Sequence, residues 1–258
     1  MIAFYMISFF KNLFSPRKSD PVPIVDRLTY AIGDIHGRAD LLTRMIDKIR
    51  EDSYAYQEKP RVVLLGDYVD RGPASDKVIE TILKLKNEIW CDLEVLMGNH
   101  EMSLINFLED PESGSTWVQH GGGTTLMNYG VQAPPLRSDA EAWIEARDQF
   151  GNNLPRAHLE AICAMKLIIY GGDYVFVHAG VKPGVPLDDQ DAMTLLWIRA
   201  EFLSATKACN YVVVHGHTPT PEPFNSTWRI GVDTGAYATG VLTCVRLHKE
   251  TRQFIHVT

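Results

Sequence analysis

Leu96-Met97-Gly98-Asn99-His100-Glu101 decides the reading of this chain. An apolar run (Leu93, Val95, Leu96, Met97) stops at a glycine. An amide, an imidazole and a carboxylate follow, and a new apolar pattern then begins. This is a strand ending in a tight turn into a helix, with polar groups at the strand's carboxyl end, where open α/β sheets place their ligands. Two earlier stretches share the design: Ile32-Gly33-Asp34-Ile35-His36-Gly37 follows Leu28 to Ala31, and Gly66-Asp67-Tyr68-Val69-Asp70-Arg71-Gly72 follows Val62 to Leu65. Three strand ends rich in Asp, His and Asn do not make a core. They read as one metal site assembled from several loops.

Working outward, the first half repeats strand and helix. Ala39 to Arg50 carries Leu41, Leu42, Met45, Ile46 and Ile49 at helical spacing, and Val78, Ile79, Ile82 and Leu83 mark a helix from about 74 to 86. A β-α-β-α-β-α order implies a mostly parallel sheet with right-handed crossovers. Between about 109 and 156, Pro111, Gly114, Gly121-Gly122-Gly123 and Pro134-Pro135 break the pattern, leaving a short helix near 140–150. This stretch reads as an inserted lobe at the mouth of the site, with the glycine triplet as an adaptable or plainly flexible loop. Met165 to Tyr170 and Tyr174 to His178 form a hairpin about Gly171-Gly172-Asp173. A helix spans about 191–204, and strands follow near 211–214, 228–232, 241–247 and 254–257. The second half is expected to be largely antiparallel. The fold class is α/β, two mixed β-sheets packed as a sandwich flanked by helices, with a helical and loop insertion near the site. Residues 24–258 form a single domain behind an extension at 1–23.

Composition bounds the function. Hydrophobic content of 45% and charged content of 22% are ordinary for a globular protein. A net charge of −7 argues against coating nucleic acid. Cys91, Cys163, Cys209 and Cys244 lie far apart and read as reduced core residues of a cytoplasmic protein. Met1 to Phe10 is apolar but too short to cross a bilayer, and its positive charge follows the apolar run, the reverse of a secretory signal. A poorly ordered or locally packed extension is the favoured reading. Membrane contact through residues 1–14, with Phe4, Tyr5, Phe9, Phe10 and Phe14 in the headgroup layer, is the alternative.

The polar strand ends give one donor set: Asp34, His36, Asp67, Asn99, His100, His178 and His217. Carboxylate and amide oxygens mixed with imidazole suit Mn²⁺, Fe or Zn²⁺ better than Ca²⁺ or Mg²⁺. The absence of thiolate from the set disfavours structural zinc. Asp-x-His puts two ligands on one turn, and Asp67 is placed to bridge to a second ion. Two ions roughly 4 Å apart are a device for in-line displacement at phosphorus.

Gly33-Asp-Ile-His-Gly37, Gly66-Asp-Tyr-Val-Asp-Arg-Gly72, Gly98-Asn-His-Glu101, His178-Ala-Gly180 and Gly216-His-Thr218 resemble the motif series of calcineurin-like metallophosphoesterases. More narrowly, they resemble the phosphoprotein phosphatases of the lambda-phage and bacterial branch. The first three motifs are specific in order and spacing. The resemblance implies that Asp34 and His36 bind one metal, Asp67 bridges, and Asn99, His178 and His217 hold the other. It implies two divalent ions, Mn²⁺ first, with a hydroxide between them attacking phosphorus directly. His100 is then the general acid, kept protonated by Asp70, since a carboxylate neighbour raises a histidine's pKa. Arg71 becomes a phosphate clamp. Trp197-Ile198-Arg199 resembles a Trp-x-Arg element whose arginine is a second clamp, although asparagine is the expected middle residue.

The main expectation is thus a dinuclear-metal phosphatase acting on phosphoserine and phosphothreonine of protein or peptide partners, with phosphotyrosine as a further substrate. The alternative is a symmetrical diadenosine tetraphosphate hydrolase, a related branch. That branch has alanine at the position of Asp70 and aspartate at that of Glu101, and both differences favour the protein phosphatase. A third reading, a non-catalytic module that recognises phosphorylated partners, requires a lost ligand or acid, and none is missing. Glu101 is expected to serve as a helix-start charge or a neighbour of the ligands, and Trp117 as packing. The sequence sets no oligomeric state.

Overall fold

A computed structural model describes residues 22–258. Residues 1–21, which hold the apolar stretch and most of the expected extension, lie outside the described residues. Strand β1 (Thr29–Ile32), β2 (Arg61–Leu64) and β3 (Asp92–Val95) pair in parallel, linked by helices α1 (Ala39–Ser53) and α2 (Ser75–Lys86). The chain leaves β3 through helix α3 (Asn99–Glu109). The first sheet closes late in the sequence, when β9 (Leu242–His248) and β10 (Thr251–Val257) add antiparallel to β1, giving the order β10-β9-β1-β2-β3.

The second sheet has the order β4-β5-β6-β8-β7: β4 (Ile168–Gly171), β5 (Tyr174–Val177), β6 (Val212–His215), β8 (Arg229–Gly231) and β7 (Phe224–Asn225). Its centre corrects the antiparallel expectation, because β5, β6 and β8 run parallel and only the edge pairs are antiparallel. The physical consequence is that β5 and β6 both point their carboxyl ends, His178 and His217, at one place.

Alternation along the strands assigns the layers. Ala31, Val63 and Val245 from the first sheet meet Tyr174, Phe176, Val212, Val214 and Ile230 from the second in a dry layer between the sheets. Tyr30, Ile32, Val62 and Leu64 face the other way, onto Leu41, Met45 and Ile49 of α1 and Val78, Ile79 and Ile82 of α2. Val175, Val177 and Val213 pack outward on Leu195 and Phe202. Those two residues belong to separate short helices, α6 (Ala192–Trp197) and α7 (Ala200–Leu203), where one helix was expected; the break falls at Ile198 and Arg199, whose backbones are non-helical.

Residues 111–128, expected to be loose, are helical, and the helix expected near 140–150 is present. Short helical segments run from Pro111 to Asn128, followed by α4 (Ala140–Asn153) and α5 (Arg156–Cys163). Pro111 sits at the first position of its turn, where a missing N–H costs nothing, so it starts a helix instead of breaking one. Gly121 is a kink inside that stretch (φ 115°), and its carbonyl accepts from Arg71 N–H at 3.2 Å. The four cysteines are free, but Cys163 is exposed, contrary to the core reading, while Cys91 and Cys244 are buried.

Phe176 is wholly buried between the sheets. Phe176→Ala is expected to cost about 3–5 kcal/mol of unfolding free energy, read from denaturant midpoints at unchanged m-value.

Candidate metal centre

Every motif residue leaves the carboxyl end of a strand, and the two sheets bring those ends together. Asp34 and His36 follow β1, Asp67 follows β2, Asn99 and His100 open α3, His178 follows β5 and His217 follows β6. Asp67 is the hub. Its Oδ2 lies 3.5 Å from His36 Nε2 and 3.9 Å from His100 Nε2, and its Oδ1 lies 3.4 Å from His178 Nε2. Two donor groups share it, His36–Asp67–His100 and Asp67–His178–His217, each with ligand atoms within 4.8 Å of one another. Asn99 Oδ1 joins the second, 2.9 Å from His178 Nε2 and 2.9 Å from His217 Nδ1. Asp34 stands to one side, where both its oxygens accept the His217 N–H at 3.1 Å.

The proton inventory shows what this arrangement is fit to hold. His36 Nδ1 is 2.8 Å from the Val69 carbonyl, and His178 Nδ1 is 2.8 Å from the Leu65 carbonyl. A carbonyl can only accept, so each Nδ1 carries the ring's proton. Burial outweighs the pull of Asp67 and holds both rings neutral, His36 down to about 3 and His178 also lowered. Each therefore turns a bare Nε2 lone pair toward an Asp67 oxygen. Burial, then the charges of Asp233 and Asp67, push the Asp34 carboxyl well up. His217 Nε2 is buried with no partner among the described residues. Converging lone pairs with no hydrogen between them repel unless a cation lies among them. The residues present fit divalent metal, with the outer carbonyls orienting the rings as such sites require.

The turns are built under strain. His36, Asp67, Asp70, Arg71 and His217 have φ of 44°, 54°, 72°, 67° and 64°, a region that non-glycine residues rarely enter. Glu101 is the principal brace. Its carboxylate accepts N–H groups from Asp67 (2.9 Å), Tyr68 (2.7 Å), Val69 (3.1 Å) and Gly98 (2.9 Å), tying the loop after β2 to the start of α3. Burial and the charge of Asp67 lift its proton affinity to about 7, against the pull of the Val69 and Tyr68 N–H groups. No side chain at Gly66 could coexist with this packing, since a Cβ there would lie 2.6 Å from His178 Nδ1.

Beside the hub, His100 Nδ1 bonds Asp70 Oδ2 at 2.7 Å, and Arg71 Nη2 donates to His100 Nε2 at 3.0 Å. Burial lowers the proton affinity of His100, but the carboxylates of Asp67 and Asp70 overcome it and the net direction is upward. Asp70 is sealed from water by Trp117 Nε1 (2.8 Å) and Thr125 Oγ1 (2.6 Å), both donating to it from the helical stretch after α3. Trp117 is therefore more than packing. It was invisible as a partner because 47 residues separate it from Asp70. His215 stays out of the donor groups, with Nδ1 on the Gly216 carbonyl and Nε2 facing Arg229. Arg199 is exposed at the break between α6 and α7, and burial, with the charge of Arg199 a lesser cause, lowers the proton affinities of His178 and His217.

The profile of calcineurin-like phosphoesterases matches residues 28–241. The chain belongs to that family. It is 27% identical over 246 residues to the asymmetrical bis(5'-nucleosyl)-tetraphosphatase PrpE of Oceanobacillus iheyensis, covering 88% of this chain and 90% of that one. It is 26% identical to the zinc-dependent endopolyphosphatase of Saccharomyces cerevisiae over 69% of this chain, and spans about half (54%) of that relative's length. A symmetrical bis(5'-nucleosyl)-tetraphosphatase of Neisseria meningitidis is 28% identical over 60% of this chain and 44% of its own. Among solved structures, a candidate diadenosine tetraphosphatase superposes with a TM-score of 0.62 at 18% identity, over 92% of this chain and 96% of that one. That likeness speaks to the fold.

These relatives overturn the expectation of a phosphoserine/phosphothreonine protein phosphatase. The physical reason is plain in the site. Asp70 and Glu101 were weighed as marks of substrate class, yet both are buried and face inward, one onto His100, Trp117 and Thr125 and the other onto backbone N–H groups. Both are fully buried, so they brace the centre without meeting a substrate themselves.

Glu101→Gln replaces one of the two accepting oxygens by an NH₂ that faces N–H groups. It is expected to lose about 3 kcal/mol or more of stability, measured by chemical denaturation. A loss under about 0.5 kcal/mol contradicts the bracing role.

Proposed function

We propose that the chain hydrolyses dinucleoside tetraphosphates at a phosphoanhydride bond, splitting them asymmetrically, with two divalent cations as cofactors. The observation that carries this reading is the end-to-end match with an asymmetrical bis(5'-nucleosyl)-tetraphosphatase, against a match to less than half of a symmetrical one. The site's chemistry supports it: a polyphosphate chain is a run of oxyanions, and Asp67 with its imidazole ring is suited to organising cations for such a ligand.

In this reading Asp34, His36 and Asp67 would hold one ion, and Asp67, Asn99, His178 and His217 would hold the other. Mn²⁺ is the first choice, with Fe and Zn²⁺ compatible with the same donors. When bound, the ions lower the pKa of water and neutralise phosphate oxygens. The protein does the rest. Val69 and Leu65 carbonyls fix the His36 and His178 rings so that only Nε2 faces inward. Arg71 leaves His100 Nε2 to grip a phosphate oxygen with its guanidinium fork, and exposed Arg199 takes an oxygen from the other side. Freed of Arg71, His100 carries a proton at Nε2, stabilised by Asp70 at Nδ1, and delivers it to the departing oxygen.

An anhydride releases a phosphate oxygen, which is far less basic than an alkoxide and needs less help from an acid. His100→Asn is therefore expected to lower turnover of diadenosine tetraphosphate by about 10- to 100-fold, and that of an alkyl phosphate monoester by more, at unchanged metal content. Loss of metal in this variant would contradict the acid role. Chromatography of wild-type reaction products tests the function itself. Equal amounts of nucleoside monophosphate and triphosphate are expected; two diphosphates would contradict the asymmetry, and absence of cleavage beside brisk phosphopeptide hydrolysis would contradict the substrate class.

A further inference from the structure

An exposed aromatic ring beside a polar centre offers a ligand an apolar face with a polar edge. Two such rings border the metal centre. Tyr237, on the short helix α8 (Ala236–Thr239), is 41% exposed, and its ring meets that of His36 edge-on at 5.4 Å between centroids. Trp197, the last residue of α6, is 39% exposed and meets His217 edge-on at 6.3 Å. They stand on opposite flanks, because His36 belongs to one donor group and His217 to the other, with Asp67 common to both.

Each ring also comes with a guanidinium. Arg71 Cζ lies 4.8 Å over the Tyr237 ring, and exposed Arg199 follows Trp197 by two residues. The centre is thus bordered on both sides by an aromatic surface paired with a cation. Inorganic polyphosphate or a phosphoserine peptide would use the cations alone. A molecule with a flat base at each end of a polyanion would use all four groups.

Resting on the dinucleotide reading above, we propose that Trp197 and Tyr237 are stacking platforms for the two nucleobases of the substrate, one on each flank of the metal centre. Stacking on aromatic side chains tolerates any base, because every base has a π face. The rings then select for nucleoside-capped chains over bare polyphosphate without selecting adenine over guanine.

The test uses the full chain loaded with Mn²⁺. It compares KM for diadenosine tetraphosphate with the inhibition constant of inorganic tetraphosphate, which offers the same oxyanions and no bases. Trp197→Leu is expected to raise KM about tenfold while the inhibition constant shifts less than about twofold, with the loss carried in KM and not in kcat; Trp197→Phe restores most of it. Tyr237→Leu is expected to raise KM more than the inhibition constant, and Tyr237→Phe to stay near wild type. Diguanosine tetraphosphate should follow the same pattern. Equal shifts in both constants would mean that the rings only support the centre, and no shift that they touch nothing; either overturns the proposal while the function stands. If the wild type hydrolyses phosphomonoesters but not dinucleoside tetraphosphates, the function reading falls and the platforms with it.

Discussion

The whole arrangement turns on the electrostatics of Asp67. A buried carboxylate faces two neutral imidazoles whose lone pairs point at it, because the Val69 and Leu65 carbonyls hold the ring protons on the far side. Such a cluster stores repulsion unless cations occupy it, and it does so on backbone that is itself strained at Asp67, His36 and His217. Strained residues of this kind cost about 1–3 kcal/mol each and persist only where the surroundings over-determine them. Here the surroundings are the dry layer between two sheets and the four N–H bonds to Glu101.

The topology follows from that need. Ligands arriving from the ends of β1, β2, β5 and β6 meet only if those strands direct their carboxyl ends to one side of the sandwich, and the parallel centres of both sheets achieve this. The antiparallel additions, β9 and β10 in one sheet and β4 and β7 in the other, lie outside these centres and complete the sheets. The helical stretch from Pro111 to Asn128 then closes over Asp70, so the partner of His100 works in a place that water does not reach.

Much of this was legible in the sequence because the ligands follow apolar runs directly. Asp34, Asp67, Asn99 and His178 each sit within a few residues of a strand end, and a glycine marks each turn. What stayed hidden depends on long-range contact. Nothing local tells that β5, β6 and β8 run parallel, since strands of three or four buried residues alternate alike in either direction. Three of the four N–H groups that set the role of Glu101 lie more than thirty residues away, and the role of Trp117 is set by Asp70, 47 residues away. Tyr237 carried no motif, and its place beside His36 and Arg71 depends on the fold alone. The substrate class stayed hidden for the same reason: Asp70 and Glu101, the residues that bear on it in the sequence, brace the interior.

The most direct test of the central claim is anomalous diffraction at the manganese edge from crystals grown with Mn²⁺. The account predicts two peaks roughly 4 Å apart on either side of Asp67, one bonded to His36 and the other to His178 and His217. A single peak, or peaks that leave Asp67 unbound, would contradict it.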